Sequence, residues 1–448
     1  MGFGKIMMVS SIDEDYLKDL TLTSTKIGII FKMVFLYDTA IYFYTLLIRI
    51  ASIKNTKAAA WINGRKELMQ LIEASLDKNK RYTWFHFASL GEFEQGRPVL
   101  ERLKSENPTL PIVITFFSPS GYEIRKKYAL VDHVFYLPID TRTNAIDFVR
   151  ILNPRMAIFT KYEYWYHYFD ELHKNNIPLY VISGIFRKEQ IFFKWYGSLH
   201  RKMLSMVSHF FVQNENSRKL LNELGIENVT ISGDTRFDRV IYNATHAPEL
   251  KIIQDFTKGN KVFIAGSTWP DDEKLIAKLA FSYPDWKFII ATHEVNPARI
   301  NELTEFFPES IRYSDMNRKE SESTENQYIN SDIQVLIIDN IGLLSSVYQY
   351  GDIAYIGGGF GVGIHNTQEA AAFGLALIFG PNYQNFTEAV DFITIGAAFT
   401  IKNYDELANC MEKLIIDSHK KECGMAALKY VKKHTGASQA ILDFINRS

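Results

Sequence analysis

Glu92 stands within residues 85–98 (FHFASLGEFEQGRP), where an apolar, aromatic run meets a polar, helix-like stretch. In an open α/β sheet, ligands bind outside the carboxyl ends of the strands, so a Glu on the turn after a strand faces a crevice. There it can take a proton from an incoming hydroxyl. The same position also suits a first-turn helix carboxylate that does no more than meet the macrodipole. Ser89 and Gly91 supply the expected turn and join the candidate acceptor- or anion-binding positions.

Three further clusters fall at the ends of predicted strands. Residues 116–121 (FFSPSG) offer Ser118 and Ser120 on a turn whose hydroxyls and N–H groups suit an anion, and a plain turn explains them as well. Residues 161–165 (KYEYW) place Lys161 and Glu163 two apart among aromatics, which suits a polar substrate; a surface ion pair beside a core Trp165 is the alternative. Residues 357–370 (GGGFGVGIHNTQEA) carry five glycines into a helix that Asn366 or Thr367 can cap. Exposed amides there suit a phosphate, and Glu369 in the first turn suits ribose hydroxyls. The pattern matches neither the dinucleotide fingerprint nor the Walker loop. A nucleotide-sugar site in a two-domain transferase fits it better than a ligand-free helix entry. No Asp-x-Asp pair stands at a strand end, and Asp13-Glu14-Asp15 reads as a solvated tail, so neither a metal nor another cofactor is expected.

The elements that must position these residues alternate. Short apolar runs at 82–88, 112–117, 133–137, 156–160, 179–183 and 209–213 are separated by polar, periodic stretches at 99–106, 121–128, 145–152 and 217–224. A second cycle follows at 262–267, 286–293, 335–340, 353–359, 376–380 and 397–401. This rhythm predicts two parallel sheets wrapped by helices. The expected organisation is an N-terminal segment over 1–66, a first Rossmann-like domain over 67–240 and a second over 241–448. The pattern lapses near 241–260, residues 314–330 read as a polar surface loop, and the closing stretches at 422–433 and 437–445 are free to pack on either domain.

Over 448 residues, 50 Lys and Arg balance 51 Asp and Glu, which removes a blanket electrostatic argument for nucleic acid. Cys410 and Cys423 are too far apart for a CxxC metal motif and read as reduced and buried. The N-terminus carries the strongest bias, because residues 27–53 are apolar and aromatic apart from Lys32, Asp38 and Arg49. A buried Asp38 would cost on the order of 3 kcal/mol in a spanning helix, so a helix lying in one leaflet is favoured over one that crosses. The basic residues Arg49, Lys54, Lys57, Arg65 and Lys66, with no acid between 46 and 66, suit an anionic cytoplasmic surface. An amphipathic helix capping the first domain is the alternative. A cleaved signal peptide is disfavoured, and Met1-Gly2 lacks the Ser or Thr of a myristoylation signal at Ile6.

HFASLGEFEQGRP, FFSPSGYE, KYEYW, GDTRFDR (233–239), GGGFGVGIHNTQEAAAFG and GPNYQNF (380–386) occur in the order seen in the 3-deoxy-D-manno-octulosonic acid (Kdo) transferases. From about Tyr44 to the C-terminus the chain resembles that family. The resemblance implies a GT-B fold, two Rossmann-like domains facing a cleft, with an N-terminal membrane-associating helix. It implies an inverting transfer of Kdo from CMP-Kdo to a lipid A precursor in lipopolysaccharide biosynthesis, without a metal ion, at the cytoplasmic face of the inner membrane.

Residue by residue, the resemblance makes Glu92 the base. Glu163, on the second acidic position of E-T-E-L-W, and Arg236, on the basic position of G-N-x-K, would support the transition state. CMP would be held by Asn366, Thr367, Gln368 and Glu369, with Thr292, His293 and the turn Ile341, Gly342 and Leu343. Lys161 and Arg187, like Arg236, suit the acceptor's phosphates or the Kdo carboxylate. Lys161, Tyr164 and Tyr166 depart from E-T-E-L-W and its following Pro, and His293-Glu294-Val295 stands where Arg-His-Pro is usual. Two rivals are a GT-B transferase using another nucleotide-sugar, such as a UDP-sugar, with a lipid acceptor, and a membrane-associated scaffold without turnover.

Overall fold

The computed structural model describes the backbone of residues 14–161, 163–322 and 333–447, and side chains over 32–161, 163–318 and 333–447. Met1-Gly2, Asp13 and residues 323–330 of the expected surface loop lie outside this range. The first sheet contains β1 (Tyr82–Phe87), β2 (Ile112–Phe116), β3 (His133–Tyr136), β4 (Pro154–Thr160), β5 (Leu179–Gly184), β6 (His209–Val212) and β7 (Val229–Ile231). All are parallel, in the order β3-β2-β1-β4-β5-β6-β7.

The second sheet contains β8 (Lys261–Thr268), β9 (Trp286–Thr292), β10 (Ile311–Arg312), β11 (Val335–Ile337), β12 (Ile353–Ile356), β13 (Ala376–Phe379) and β14 (Ala398–Thr400). It too is parallel, in the order β10-β11-β9-β8-β12-β13-β14. Helices cover both faces, which is why β1, β2, β9 and β12 are buried along their whole length and read as mostly apolar runs.

Each sheet has one place where the strand order turns back on itself, between β1 and β4 in the first and between β8 and β12 in the second. Crevices for ligands form outside the carboxyl ends of strands at such switch points. Glu92 follows β1 and Glu163 follows β4; the glycine-rich turn follows β12.

Two compact units contain these sheets. The N-terminal unit runs to Gly233 and regains the chain from Ser438; the C-terminal unit spans Asp234–Ala437. Helix Asp417–Lys433 buries Ala427 and Val431 in the C-terminal core, whereas Ile441, Leu442 and Ile445 of helix Ala437–Ile445 join the core under β1 and β2. Cys410 and Cys423 are free thiols, both buried.

Several expectations are corrected. The stretch 241–260 holds helices, Thr235–Thr245 and Lys251–Thr257, and the first part of 314–330 lies in helix Tyr313–Glu322. β7 and β10 had not been foreseen; with three residues and two, neither is long enough to show a periodic pattern. Arg65 does not belong to a membrane-facing basic surface. Its guanidinium donates to the carbonyls of Leu137 (2.9 Å), Trp61 (3.1 Å) and Phe117 (2.7 Å), tying the segments after β2 and β3 to the preceding helix. Burial lowers its pKa to about 10. Arg49, Lys54, Lys57 and Lys66 are exposed.

The N-terminal helix, Glu14–Ala51, packs along one edge on the N-terminal unit through Met33, Val34 and Tyr37. Tyr37 Oη donates to Asp140 (2.6 Å), and Asp38 lies 2.6 Å from His167 Nε2, so the acid that would burden a spanning helix is paired with the folded unit. Phe35, Leu36, Phe43, Leu47 and Ile50 remain exposed. Over Lys32–Ala51 the helix is long and apolar enough to cross a membrane by length and composition.

Candidate functional site

The helix after β1 begins at Leu90, so Glu92 occupies its first turn and Gly91 is helical; the expected Ser-Gly turn is shortened to Ser89 alone. Gly96 explains how closely this helix lies on the sheet, because a Cβ there would fall 2.3 Å from the Phe87 ring and 2.9 Å from Thr160 Oγ1. Ser89 is the N-cap residue, yet its hydroxyl makes no capping bond. It donates to Glu92 Oε2 instead. Glu92 is half-buried at the carboxyl end of β1, which is the placement a base needs to meet a hydroxyl from solvent.

Glu163 is held by a buried polar chain that the sequence reading missed. Glu163 Oε2 lies 3.2 Å from His86 Nε2 and accepts from Trp165 Nε1 at 3.0 Å. His86 Nδ1 is 2.8 Å from Thr115 Oγ1, which also accepts from Trp84 Nε1 at 2.8 Å. A lone pair on Nε2 facing the carboxylate would be repelled, so Nε2 carries a hydrogen and Thr115 gives its proton to Nδ1. The signal was a His and a Thr inside the otherwise buried runs YTWFHF and IVITF, since polar groups in a parallel sheet need partners. At Glu163 the partner is thus a donor from the strand interior, not the surface ion pair of the alternative reading.

Ser118 caps helix Pro119–Arg125, accepting from the Ser120 N–H at 3.3 Å, and the two hydroxyls lie 3.1 Å apart. Lys161 has a left-handed backbone (φ 58) directly after β4, and its N–H donates to the carbonyl of Ile182. Arg187 is exposed after β5. Thus Ser89, Gly91, Glu92, Ser118, Ser120, Lys161, Glu163 and Arg187 all follow the carboxyl ends of strands in one sheet.

In the C-terminal unit the glycines serve packing more than expected. A Cβ on Gly357 would meet the Ser267 carbonyl at 2.3 Å, and one on Gly359 the Gly380 backbone at 2.6 Å, so both permit chain-to-chain contact. Asp272, buried and raised in pKa by that burial, accepts from Tyr355 Oη (2.6 Å) and from the N–H of Gly358 (3.0 Å), pinning the turn. Asn366 Oδ1 accepts from the N–H of Gln368 and its Nδ2 donates to Glu369 Oε1, both at 3.0 Å.

Thr292, Thr367 and Gln368 are buried, whereas Asn366 is exposed and Glu369 half-buried. Thr367 Oγ1 and Gln368 Oε1 have no hydrogen-bond partner among the described residues. His293 stacks between Trp269 (5.0 Å) and His365 (4.2 Å), and Trp269 Nε1 lies 3.1 Å from His365 Nε2. Ile341 is exposed, Gly342 has φ 92, and Leu343 leads into helix Leu344–Val347.

Arg236 belongs to this second unit, not with Glu92 and Glu163. Burial alone would lower its pKa, but the carboxylates of Asp234 (2.7 Å) and Glu388 (3.4 Å) hold it above the ordinary arginine value. Gln368 Nε2 also reaches Glu388, at 3.4 Å, so Glu388 joins the start of the glycine-led helix to Arg236.

Residues 63–239, which hold Glu92, Glu163 and Arg236, match the family model described as 3-deoxy-D-manno-octulosonic-acid transferase (kdotransferase). Over that span the chain is similar to the Kdo transferase family. The 3-deoxy-D-manno-octulosonic acid transferase of Haemophilus influenzae is 26% identical over 378 residues, covering 81% of this chain and 86% of that protein. Its counterpart in Aquifex aeolicus is 27% identical over 356 residues, covering 78% and 89%. A bifunctional glycosyltransferase/methyltransferase of Fusobacterium nucleatum is 24% identical over 377 residues, 80% of this chain but 57% of that longer protein.

Among solved structures, UDP-GlcNAc 2-epimerase from Neisseria meningitidis matches with a TM-score of 0.57 at 16% identity, over 82% of this chain and 100% of that one. MurG of Acinetobacter baumannii matches with a TM-score of 0.50 at 11% identity, over 82% and 100%. These likenesses show the fold, which is of the GT-B type. The matched span contains both the dyad of His86 and Glu163 and the pair of Ser89 and Glu92.

Proposed function

We propose that this protein transfers Kdo from CMP-Kdo to a lipid A precursor by a single inverting displacement. The observation that carries this reading is Glu92, half-buried beside the Ser89 hydroxyl at the switch point of its sheet in a Kdo transferase span. An acceptor hydroxyl attacks the anomeric carbon of Kdo. The new C–O bond forms as the bond to phosphate breaks, CMP leaves with the electron pair, and the hydroxyl proton passes to Glu92. General-base assistance of this kind contributes about 10²–10⁴-fold.

Glu163, oriented by His86 and Trp165, serves as a fixed negative group near the acceptor. Asn366 and Glu369 are the donor-side contacts left exposed or half-exposed for the nucleotide, with His293 and the turn at Ile341 beside them in the role assigned to CMP binding. Arg236 stays cationic between its two carboxylates and supports the leaving phosphate through the field it sets. Helix ends and cationic side chains take the place of a divalent ion, so chelation leaves transfer unchanged. The apolar face of the N-terminal helix, with Lys54 and Lys57 beyond it, brings the enzyme to a lipid acceptor at the cytoplasmic face of the inner membrane.

The test is a reaction of purified protein with a lipid A precursor and either CMP-Kdo or UDP-GlcNAc, read by mass. Addition of Kdo residues with CMP-Kdo alone is expected. Product with UDP-GlcNAc and none with CMP-Kdo overturns the donor assignment.

A further inference from the structure

A cavity of about 380 Å³ lies in the N-terminal unit between the N-terminal helix and the segment after β3. Its helix wall is Asp38, Ile41, Tyr42, Thr45, Leu46 and Arg49, the i, i+3, i+4 spacing of a single face. At a rise of about 1.5 Å per residue this face runs for about 16 Å. Ile139, Asp140, Thr141 and Arg142 form the opposite wall.

The charges are arranged unequally. Both carboxylates are already engaged: Asp38 with His167, and Asp140, buried, with Tyr37 Oη and the N–H groups of His167 and Tyr168. Arg49 and Arg142 are both exposed, and among the described residues neither guanidinium has a hydrogen bond or ion pair. Two cations without partners and an apolar stripe of Ile41, Tyr42, Leu46 and Ile139 line one groove. Such a lining complements a molecule with an anionic head and a hydrocarbon tail. Guanidinium groups favour phosphate because their paired N–H donors match its oxygens. The same helix exposes Phe43, Leu47 and Ile50 beside the groove, which points to the bilayer rather than bulk water as the source.

We propose that this groove binds a phosphate-bearing lipid of the membrane, its phosphate held by Arg49 and Arg142 and its chain laid along Ile41, Tyr42 and Leu46. None of these residues belongs to the strand-end site, and the inference stands whether or not the transferase reading holds.

The test uses the full chain and dihexanoyl phosphatidic acid kept below its micelle concentration, titrated by calorimetry against inorganic phosphate and dihexanoyl phosphatidylcholine. Saturable binding of the phosphatidic acid is expected, with affinity falling about tenfold or more in R49E/R142E. Inorganic phosphate and the zwitterionic lipid should bind at least as weakly as that variant binds the phosphatidic acid. K432E/K433E replaces two exposed lysines of the C-terminal unit, outside the groove, and should bind like the parent. Absence of saturable binding, equal binding of inorganic phosphate, or an equal loss in K432E/K433E overturns the proposal. Thermal melting at the parental midpoint establishes that each variant is folded.

Discussion

His86 Nε2 lies 3.2 Å from Glu163 Oε2, linking the interior of β1 to the segment that follows β4. The link fixes the carboxylate from below, because His86 is fully buried and held in turn by Thr115. Replacing the ring should leave Glu163 and Thr115 short of partners, at a cost of about 1–3 kcal/mol. We expect His86→Ala to lower both the melting temperature and kcat for transfer. His86→Gln, which can restore an N–H donor, should recover part of kcat with little change in the donor KM. Steady-state kinetics beside thermal melts separate positioning of Glu163 from plain loss of packing; equal kcat in His86→Ala and parent contradicts the role.

Ser89 separates two functions that a helix N-cap usually joins. A capping Ser contributes about 0.5–2 kcal/mol, but here the hydroxyl is turned to Glu92 and caps nothing. Ser89→Ala should therefore shift chemical-denaturation stability by less than about 0.5 kcal/mol while reducing kcat. A large stability loss with unchanged kcat would reverse the assignment.

Arg236 balances Asp234 and Glu388, whose side chains are 9% and 11% exposed. Arg236→Met should destabilise the C-terminal unit by about 1–3 kcal/mol, since two carboxylates lose their counter-charge. Arg236→Lys should lose less. Chemical denaturation of the parent and the two variants checks the order of the three proteins.

His365 gives a pH signature. Burial, with a smaller contribution from His293, lowers its pKa from an ordinary 6.5 to about 4. The unfolded chain therefore takes up a proton before the folded one does. Stability contributed by the neutral ring is fully present above pH 6.5 and is lost as pH falls toward 4. His365→Phe should flatten the melting-temperature profile across this window; an unchanged slope contradicts the assignment.

The parts of this molecule legible in sequence are those with a local signature. The aromatic run of β1, the glycines after β12 and the helix start just after Asn366 each show as a composition change over a few residues. The dyad of His86 and Glu163 was hidden because its members stand 77 positions apart and meet only through the pairing of β1 with β4. Asp272 was hidden likewise, since its value lies in reaching Gly358 across the sheet. The glycines were read for phosphate approach, whereas Gly357 and Gly359 answer to the neighbouring backbone, a demand invisible until β8 and β13 are placed. Arg65 shows the same effect, because a cation in a basic stretch was claimed by carbonyls from Phe117 and Leu137.

Glu92 is the proposed proton acceptor, and Glu92→Gln tests that role with minimal change in shape. In a transfer reaction with CMP-Kdo and a lipid A precursor, initial rates for the parent and the variant are compared at saturating substrates. A loss of about 10²–10⁴-fold in kcat is expected for a variant that melts like the parent. Transfer at the parental rate by folded Glu92→Gln protein would contradict it.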